Sequence, residues 1–243
     1  MIITIDGPAG AGKSSVAKEL AKRLKIAYLD TGAMYRALTL KALRRRVDLE
    51  NEEQLVSLAK QTSIDFSGRI EDGLRVLLDG EDVSEAIRSP DVTNKTFYVA
   101  RAPGVRAVLV EWQKAMGRKH SLVGEGRDLG TVVFPEARYK FYLDADEEER
   151  CRRRIKELKI QKKNIDENEV KNDLIDRDRK DLTRTASPLK KAADAIVIDS
   201  THLSVEQTAD VLLTHIPLPA RTLPNKLLKA ESPHRKRKST FKN

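Results

Sequence analysis

Cysteine and histidine are scarce in this 243-residue sequence, and their scarcity excludes two kinds of chemistry. Cys151 is the only cysteine, so an internal disulfide cannot form and no second thiol can resolve an oxidised one. The four histidines, at positions 120, 202, 215 and 234, lack the spacing of metal ligands, which argues against a zinc site. We interpret Cys151 as an unreactive helix residue that suits a reducing cytoplasm.

Long hydrophobic runs are also missing. No apolar segment approaches the roughly twenty residues that a membrane-spanning helix requires, and the first residues contain neither the basic region nor the apolar core of a signal peptide. Hydrophobic residues make up 40% of the chain and charged residues 34%, which is typical of a soluble globular protein. We predict a cytoplasmic protein with one substantial core and a smaller inserted module.

The net charge of +9 comes mainly from the C-terminal end of the chain. Residues 217–243 contain eight Lys or Arg and one Glu, a net of +7, so residues 1–216 carry only +2. The segment 217–243 contains several prolines and has no apolar periodicity, which predicts a basic, disordered tail. Such a tail could contact RNA or acidic surfaces, but it has neither a repeated pattern of aromatic residues among the basic ones nor a recognised nucleic-acid module, which favours a solvated extension.

A phosphate-binding motif lies at the start of the chain. Residues 7–14 read Gly-Pro-Ala-Gly-Ala-Gly-Lys-Ser and match G-x-x-x-x-G-K-[ST] at every fixed position. Glycines let backbone N–H groups converge on phosphate oxygens, Lys13 brings positive charge to the β- and γ-phosphates, and the Ser14 hydroxyl can bind Mg²⁺. An apolar strand precedes the motif and a helical pattern follows it, as this motif requires. We predict a nucleoside triphosphate site formed by Gly7, Pro8, Ala9, Gly10, Ala11, Gly12, Lys13, Ser14 and Ser15.

Five short apolar runs predict the strands of a buried parallel sheet, at residues 2–5, 26–29, 121–123, 140–143 and 195–198. Helical patterns separate most of these runs, so we expect a three-layer α/β fold. Residues 64–94 break the alternation, because two turn signals, Asp72-Gly73 and Asp79-Gly80, separate short apolar segments. This region predicts a small antiparallel insert that covers a second substrate beside the phosphate-binding loop.

Three arginine-containing polar segments are expected at one edge of the sheet. Residues 30–36 and 124–131 follow the second and third predicted strands directly, and residues 177–184 precede the last strand. Arginine recognises phosphate in a bidentate manner, and Asp or Thr can fix hydroxyl and amino groups. These segments indicate an anionic acceptor whose hydroxyl or amino groups are also recognised.

Taken together, the motifs resemble those of the bacterial-type cytidylate kinases, which transfer the γ-phosphoryl group of ATP to CMP and dCMP. The resemblance rests on residues 5–15, 29–36, 126–135, 177–188 and 203–207, and the segment 126–135 (Gly-Arg-Asp-Leu-Gly-Thr-Val-Val-Phe-Pro) is highly specific. It implies a P-loop kinase domain at residues 1–216, with an insert at about 64–94 and a mobile lid at about 150–168. The implied ligands are ATP with Mg²⁺ at Ser14, and we expect a monomer.

The resemblance also implies roles for the acceptor-site residues. Thr31, Tyr35 and Asp128 would contact the cytosine or form the pocket wall. The acceptor phosphate would be held by Arg36, Arg106 and Arg127. The sugar hydroxyls would be reached by Arg177 and Asp181, and Arg184 would lie between the phosphates or on the base.

One position departs from the family pattern. Relatives commonly have Ser in the helix before residues 99–100, where this chain has Phe97 beside Thr96. Either Thr96 supplies the missing hydroxyl to the base, or this protein discriminates between bases less strictly than those relatives.

Phosphoryl transfer depends mainly on positioning and on neutralising charge. We therefore assign the catalytic cations, which would surround the transferring group and help to exclude water, as Lys13, Arg127, Arg152, Arg153, Arg154 and Arg184.

Three other functions share some of these features. A P-loop kinase of UMP, AMP or shikimate would share most of them. A regulatory GTPase is disfavoured, because residues 94–97 read Asn-Lys-Thr-Phe and lack the Asp of N-K-x-D. A nucleic-acid-binding P-loop protein that uses the basic tail is the third alternative.

Overall fold

The computed structural model describes residues 1–68, 74–161 and 165–217. In this part of the chain the strands are β1 (Ile2–Asp6), β2 (Ala27–Asp30), β3 (Ile64–Ser67), β4 (Arg75–Leu78), β5 (Glu81–Asp82), β6 (Leu122–Gly126), β7 (Tyr139–Asp144) and β8 (Ile196–Asp199). The helices are α1 (Lys13–Leu24), α2 (Thr31–Arg44), α3 (Glu52–Lys60), α4 (Pro90–Arg101), α5 (Pro103–Lys119), α6 (Glu147–Gln161), α7 (Glu167–Thr183) and α8 (Val205–Thr214).

The central sheet has five strands in the order β2-β6-β1-β7-β8. Every neighbouring pair is parallel, which confirms the predicted three-layer α/β fold. One core cluster contains apolar residues of α2 to α5, and the other contains those of α1 and α8 with the sheet. The carboxyl ends of the strands therefore meet at one edge, where α/β folds place their ligands.

Each of the five strands differs from its predicted range at one or both ends, and two of these differences have local reasons. Strand β6 continues through Glu125 and Gly126, which pair with Ile5 and Asp6, although their polar and glycine character does not predict a strand. Ile26 was expected in β2, but its N–H bonds the Ala21 carbonyl and so closes the end of α1.

The insert contains a three-stranded antiparallel sheet in the order β3-β4-β5. The predicted turn at Asp79 and Gly80 is present, and both residues have positive φ, 50° and 87°, as a two-residue hairpin turn requires. The other turn signal, at residues 72–73, lies outside the described residues. The strands stop at Asp82, and further along the chain Ser89 caps α4 and Pro90 occupies its first turn. The last part of the segment 64–94 is therefore helical.

A five-residue π-helical turn, Leu129–Val133, follows β6 and leads towards β7. Within the described ranges, no helix has both the length and the apolar content needed to cross a membrane.

Candidate active site

A large cleft of about 1490 Å³ opens at the carboxyl edge of the sheet. Its walls come from the loop after β1, the start of α2, the end of β6, α4, and the facing sides of α6 and α7. Ligand pockets for one small molecule usually occupy about 300–1,000 Å³, so this cleft has room for two ligands side by side.

The loop after β1 is shaped to present backbone N–H groups to the cleft. Gly12 precedes α1 with a φ of 87°, a left-handed conformation that favours glycine. The N–H groups of Gly10, Ala11 and Gly12 have no backbone acceptor in the part of the chain that the structure describes. Unsatisfied N–H groups at the start of a helix form an anion-binding site. Residues 9–15 line the cleft, whereas Gly7 lies beneath it against the Leu143 carbonyl of β7.

Lys13 is buried at the base of this loop, and its Nζ donates a hydrogen bond of 2.6 Å to the Pro8 carbonyl. Burial, and then the positive charge of Arg127, lower the pKa of the Lys13 ammonium to about 7. A phosphate group in the loop would favour the charged form of this lysine. Pro8 therefore contributes its carbonyl to Lys13 rather than a wall to the cleft.

The oxygen atoms beside Ser14 suit a magnesium ion. The Ser14 hydroxyl donates to Glu125 at 2.7 Å, and burial together with the nearby Asp30 raises the pKa of the Glu125 carboxyl. Mg²⁺ usually takes one or two protein oxygens and completes its shell with phosphate oxygens and water. No cluster of three or more candidate metal ligands occurs in residues 1–68, 74–161 and 165–217.

The second half of the cleft contains buried polar groups without partners. The Tyr35 hydroxyl and the Nε atoms of Arg36 and Arg106 have no hydrogen-bond partner among the described residues. All three side chains line the cleft, and the Arg106 guanidinium lies 5.2 Å from the centre of the Tyr35 ring. Buried polar groups are normally satisfied, so this cluster is suited to a polar ligand.

Neighbouring side chains hold these cations in place. Arg36 forms an ion pair of 3.1 Å with Asp30, which also caps α2 by accepting from the Ala33 N–H. Arg106 donates to the buried Asp128 carboxylate. In this structure, therefore, Asp128 orients an arginine within the wall of the cleft.

Arg127 lies between the two halves of the cleft, where α7 fixes its position. Its Nε donates to Asp181 at 2.7 Å, and Arg184 lies 3.6 Å from the other oxygen of this carboxylate. Burial opposes ionisation of Asp181, but the charges of Arg127, Arg177 and Arg184 hold its pKa below the usual range. Arg177 also lines the cleft, with an exposed side chain.

The residues predicted to contact the base lie in the wall of the cleft, where some of their polar atoms already have partners. Thr31 donates its hydroxyl hydrogen to the Glu125 carbonyl at 2.8 Å. Thr96 and Phe97 both line the cleft, but the Thr96 hydroxyl donates to Val92 within its own helix at 2.7 Å. The Phe97 ring lies 5.3 Å from the Lys180 Nζ of α7. The role of Thr96 in reading the base stays a prediction.

The predicted lid arginines reach the border of the cleft while paired with other groups. Arg152 makes two hydrogen bonds to Glu149, of 2.6 and 2.7 Å, and its side chain is 68% exposed. Arg153 donates to Glu149 and to the Ser200 carbonyl, and Arg154 pairs with Glu157. An exposed ion pair such as that of Arg152 is weak, so this guanidinium can exchange partners at low cost. Arg153 is only 24% exposed and is held more firmly by its additional bond to Ser200.

Several residues that shape this site were not predicted from the sequence. Asp30 and Glu125 lie within the polar segments expected at the sheet edge, at the ends of β2 and β6, so the sequence pattern could have indicated them as site residues. Arg150 and Asp178 contact the phosphate-binding loop from α6 and α7, and no local pattern reveals these contacts.

Asp6 connects the two halves of the cleft from below. It ends β1 and is 4% exposed, and its carboxylate accepts from the N–H groups of Leu129 and Gly130 at 2.9 and 2.7 Å. These bonds tie the strand before the phosphate-binding loop to the turn that follows Arg127. Burial raises the pKa of Asp6 to about 6, although the two N–H groups oppose the shift.

The raised pKa of Asp6 predicts a pH-dependent contribution to stability. The folded protein binds this proton more tightly than the unfolded chain, so the contribution is complete below about pH 4 and is lost as the pH rises through about 6. Between about pH 4 and pH 7, the unfolding free energy of the native protein should fall relative to that of Asp6→Asn by about 3 kcal/mol.

Urea unfolding of both proteins across this pH range measures the change. Asp199→Asn is the control, because the Thr201 hydroxyl lowers the pKa of the Asp199 carboxyl. The contribution of Asp199 is therefore lost only below about pH 4, and its stability difference should stay nearly constant across this range. A stability difference between the native protein and Asp6→Asn that does not vary with pH would contradict the assignment.

Comparison with known proteins gives matches that agree with one another, and the family model spans every residue that lines the cleft. A family model described as cytidylate kinase matches residues 3–218. A cytidylate kinase of Pelotomaculum thermopropionicum is 50% identical over 214 residues, which cover 88% of this chain and 95% of that protein. Cytidylate kinases of Caldanaerobacter subterraneus subsp. tengcongensis and Desulforamulus reducens are 49% and 46% identical, over 86% and 88% of this chain and 91% and 96% of those proteins.

Proposed function

This chain belongs to the cytidylate kinase family, and we propose that it transfers the γ-phosphoryl group of ATP to CMP or dCMP, releasing ADP and CDP or dCDP. The observation that carries the proposal is the divided cleft. One half presents the N–H groups of the phosphate-binding loop, and the other presents three buried polar groups without partners among the described residues, on Tyr35, Arg36 and Arg106. A nucleoside triphosphate fits the first half and a nucleoside monophosphate fits the second.

The ATP half of the cleft would hold the triphosphate through backbone N–H groups and positive charge. The loop N–H groups from Gly10 to Lys13 would bind the β-phosphate oxygens, and the Lys13 ammonium would leave the Pro8 carbonyl for the β- and γ-phosphates. Kinases of this family use ATP with Mg²⁺, and Ser14 would hold the ion, with Glu125 accepting from its hydroxyl in this structure. Bound Mg²⁺ neutralises charge on the phosphates.

The acceptor half positions the CMP phosphate for in-line attack. Arg36, Arg106 and Arg127 would hold this phosphate, and the orphaned Nε atoms of the first two offer donors for it. The sugar would lie against Arg177 and Asp181 on α7. Because Asp181 already fixes Arg127, contact of α7 with the sugar would also align the cation between the two substrates. The base would be surrounded by Thr31, Tyr35, Thr96 and Asp128.

The lid completes the charge environment of the transferring group. Arg152, Arg153, Arg154 and Arg184 border the cleft, and the first three are held by α6 carboxylates that they can exchange for phosphate oxygens. Such an exchange would exclude water from the γ-phosphate and so limit ATP hydrolysis.

A panel of acceptors tests the proposal. With ATP and Mg²⁺ constant, ADP formation is measured with CMP, dCMP, UMP, AMP and shikimate. We expect kcat/KM for CMP or dCMP to exceed that for each other acceptor by about tenfold or more. Uracil has a carbonyl where cytosine has its amino group, adenine is a larger ring system, and shikimate has neither a base nor a phosphate. A higher kcat/KM for UMP, AMP or shikimate would show that the proposed acceptor is wrong.

We also propose that the enzyme works as a monomer in the cytoplasm, since the cleft contains both substrate sites within one chain. The single cysteine suits a reducing compartment. Residues 1–216 would form the complete kinase domain. The basic tail, 217–243, would be dispensable for transfer; residues 218–243 lie outside the described part of the chain.

A further inference from the structure

Arg150 and Asp178 form a buried ion pair that holds the phosphate-binding loop at Ala9. Asp178 of α7 accepts the Ala9 N–H at 2.9 Å, and Arg150 of α6 donates to the Ala9 carbonyl at 2.9 Å. The two side chains also bond each other. Arg150 and Asp178 are each 8% exposed and Ala9 is 7% exposed, so water does not compete for these bonds. We call these three residues the loop clasp.

The loop clasp orients the peptide groups on both sides of Ala9. In a planar trans peptide the C=O and N–H point in opposite directions. Because Asp178 binds the Ala9 N–H, the Pro8 carbonyl of the same peptide points away from α7, and it accepts from the Lys13 Nζ at 2.6 Å. Because Arg150 binds the Ala9 carbonyl, the Gly10 N–H of the next peptide points away from α6.

Close packing reinforces this arrangement. Gly10 has a φ of 77°, and a Cβ there would lie 2.9 Å from the Arg150 Cβ and carbonyl oxygen, so the loop and the first turns of α6 touch directly. Ala9, Cys151 and Leu174 form a small buried apolar cluster beside the ion pair. Both helices that carry the lid therefore reach the phosphate-binding loop at the same residue.

We propose that Arg150 and Asp178 are positioning residues that hold the loop in its phosphate-binding conformation. They act through Ala9, by directing the Gly10 N–H towards the triphosphate and by placing the Pro8 carbonyl that holds Lys13 beside it, and they contact no substrate themselves. The proposal deepens the ATP role given above and rests on it.

A double-replacement experiment separates positioning from stability. Removing one partner of a buried ion pair leaves an unpaired charge and is strongly destabilising, whereas replacing both with apolar residues is often neutral. We expect Arg150→Met and Asp178→Leu each to lower the unfolding free energy, and the double variant to recover most of it. Because Ala9 still lacks both partners, the double variant should bind ATP about tenfold or more weakly than the native protein.

ATP affinity is measured by calorimetry with ATP and Mg²⁺ and no acceptor, and stability by urea unfolding. The matched control is the double variant Arg23→Met with Asp210→Leu, an Arg–Asp pair between α1 and α8 that lies outside the cleft. Its ATP affinity should stay within about twofold of native. Native ATP affinity in the Arg150→Met, Asp178→Leu protein would overturn the proposal.

A second variant keeps the test decisive if the double replacement does not fold. Asp178→Asn retains an oxygen that can accept the Ala9 N–H, so its ATP affinity should fall less than that of Asp178→Leu. Equal losses in the two variants would contradict the role of this contact. If the native protein binds ATP but phosphorylates neither CMP nor dCMP, the proposed function is wrong. The ATP affinities of the variants still test the role of the loop clasp in that case.

Discussion

Lys13→Ala is expected to lower kcat by at least about 10²-fold while the protein remains folded. Lys13 is the buried cation of the phosphate-binding loop, and its ammonium is held only by the Pro8 carbonyl among the described residues. When phosphate oxygens replace that carbonyl, the Lys13 ammonium contacts a partner whose negative charge grows during phosphoryl transfer. The loss should therefore appear in kcat and in kcat/KM, and not only in the KM for ATP.

Steady-state kinetics with ATP and CMP measure this loss, and circular dichroism checks the fold. Lys22→Ala is the matched control, because Lys22 lies near the other end of α1 and is exposed. Its kcat should equal that of the native protein. Near-normal turnover of Lys13→Ala would contradict the phosphate-binding role of the loop.

Arg127→Ala should reduce CMP phosphorylation by about 10³-fold, and Arg127→Lys by about tenfold or more. The Arg127 side chain is 14% exposed, and Asp181 and the Gly126 carbonyl fix its orientation through bonds of 2.7 and 3.2 Å. A lysine keeps the charge but loses the planar group, so it cannot bond Asp181 and a phosphate with the same geometry.

The measurement is kcat/KM for CMP at saturating ATP. Arg138→Lys serves as the control, since Arg138 is exposed, lies in the segment just before β7 and does not line the cleft. Activity of Arg127→Lys within twofold of native would show that charge alone suffices, and would contradict the bidentate role.

The sequence predicted the features that depend on local patterns. The phosphate-binding loop was recognisable because its chemistry lies in eight consecutive residues, between an apolar strand and a helix. The five parallel strands were recognisable because each reads as an apolar run. Strands β1 and β6 are almost wholly buried, as such runs predict, whereas β8 leaves Ile196 and Val197 exposed. The end of β6 was missed, because Glu125 and Gly126 belong to a strand through pairing with β1 and not through their own character.

The contacts that orient the site could not be predicted in this way. Asp6 bonds Leu129 and Gly130 across more than 120 positions, and Asp178 bonds Ala9 across 169. Neither pair leaves a periodic signal, because each arises only when the strands and helices have packed.

The carboxylate partner of the lid arginines, by contrast, was open to prediction. Glu149 lies three and four positions before Arg152 and Arg153, and residues at this spacing are neighbours on a helix. Both arginines were predicted to surround the transferring group, and the structure adds the carboxylate that pairs with them.

We propose that one cleft holds ATP and CMP together, with the loop from Gly10 to Lys13 at one end and Arg36 and Arg106 at the other. This arrangement can be tested with a compound in which adenosine and cytidine are joined through their 5′ oxygens by a chain of five phosphates. Calorimetry should give one molecule bound per chain, more tightly than ATP or CMP alone, and kinetics should show competition against both substrates. Competition against ATP alone, with CMP still binding to the complex, would contradict a shared cleft.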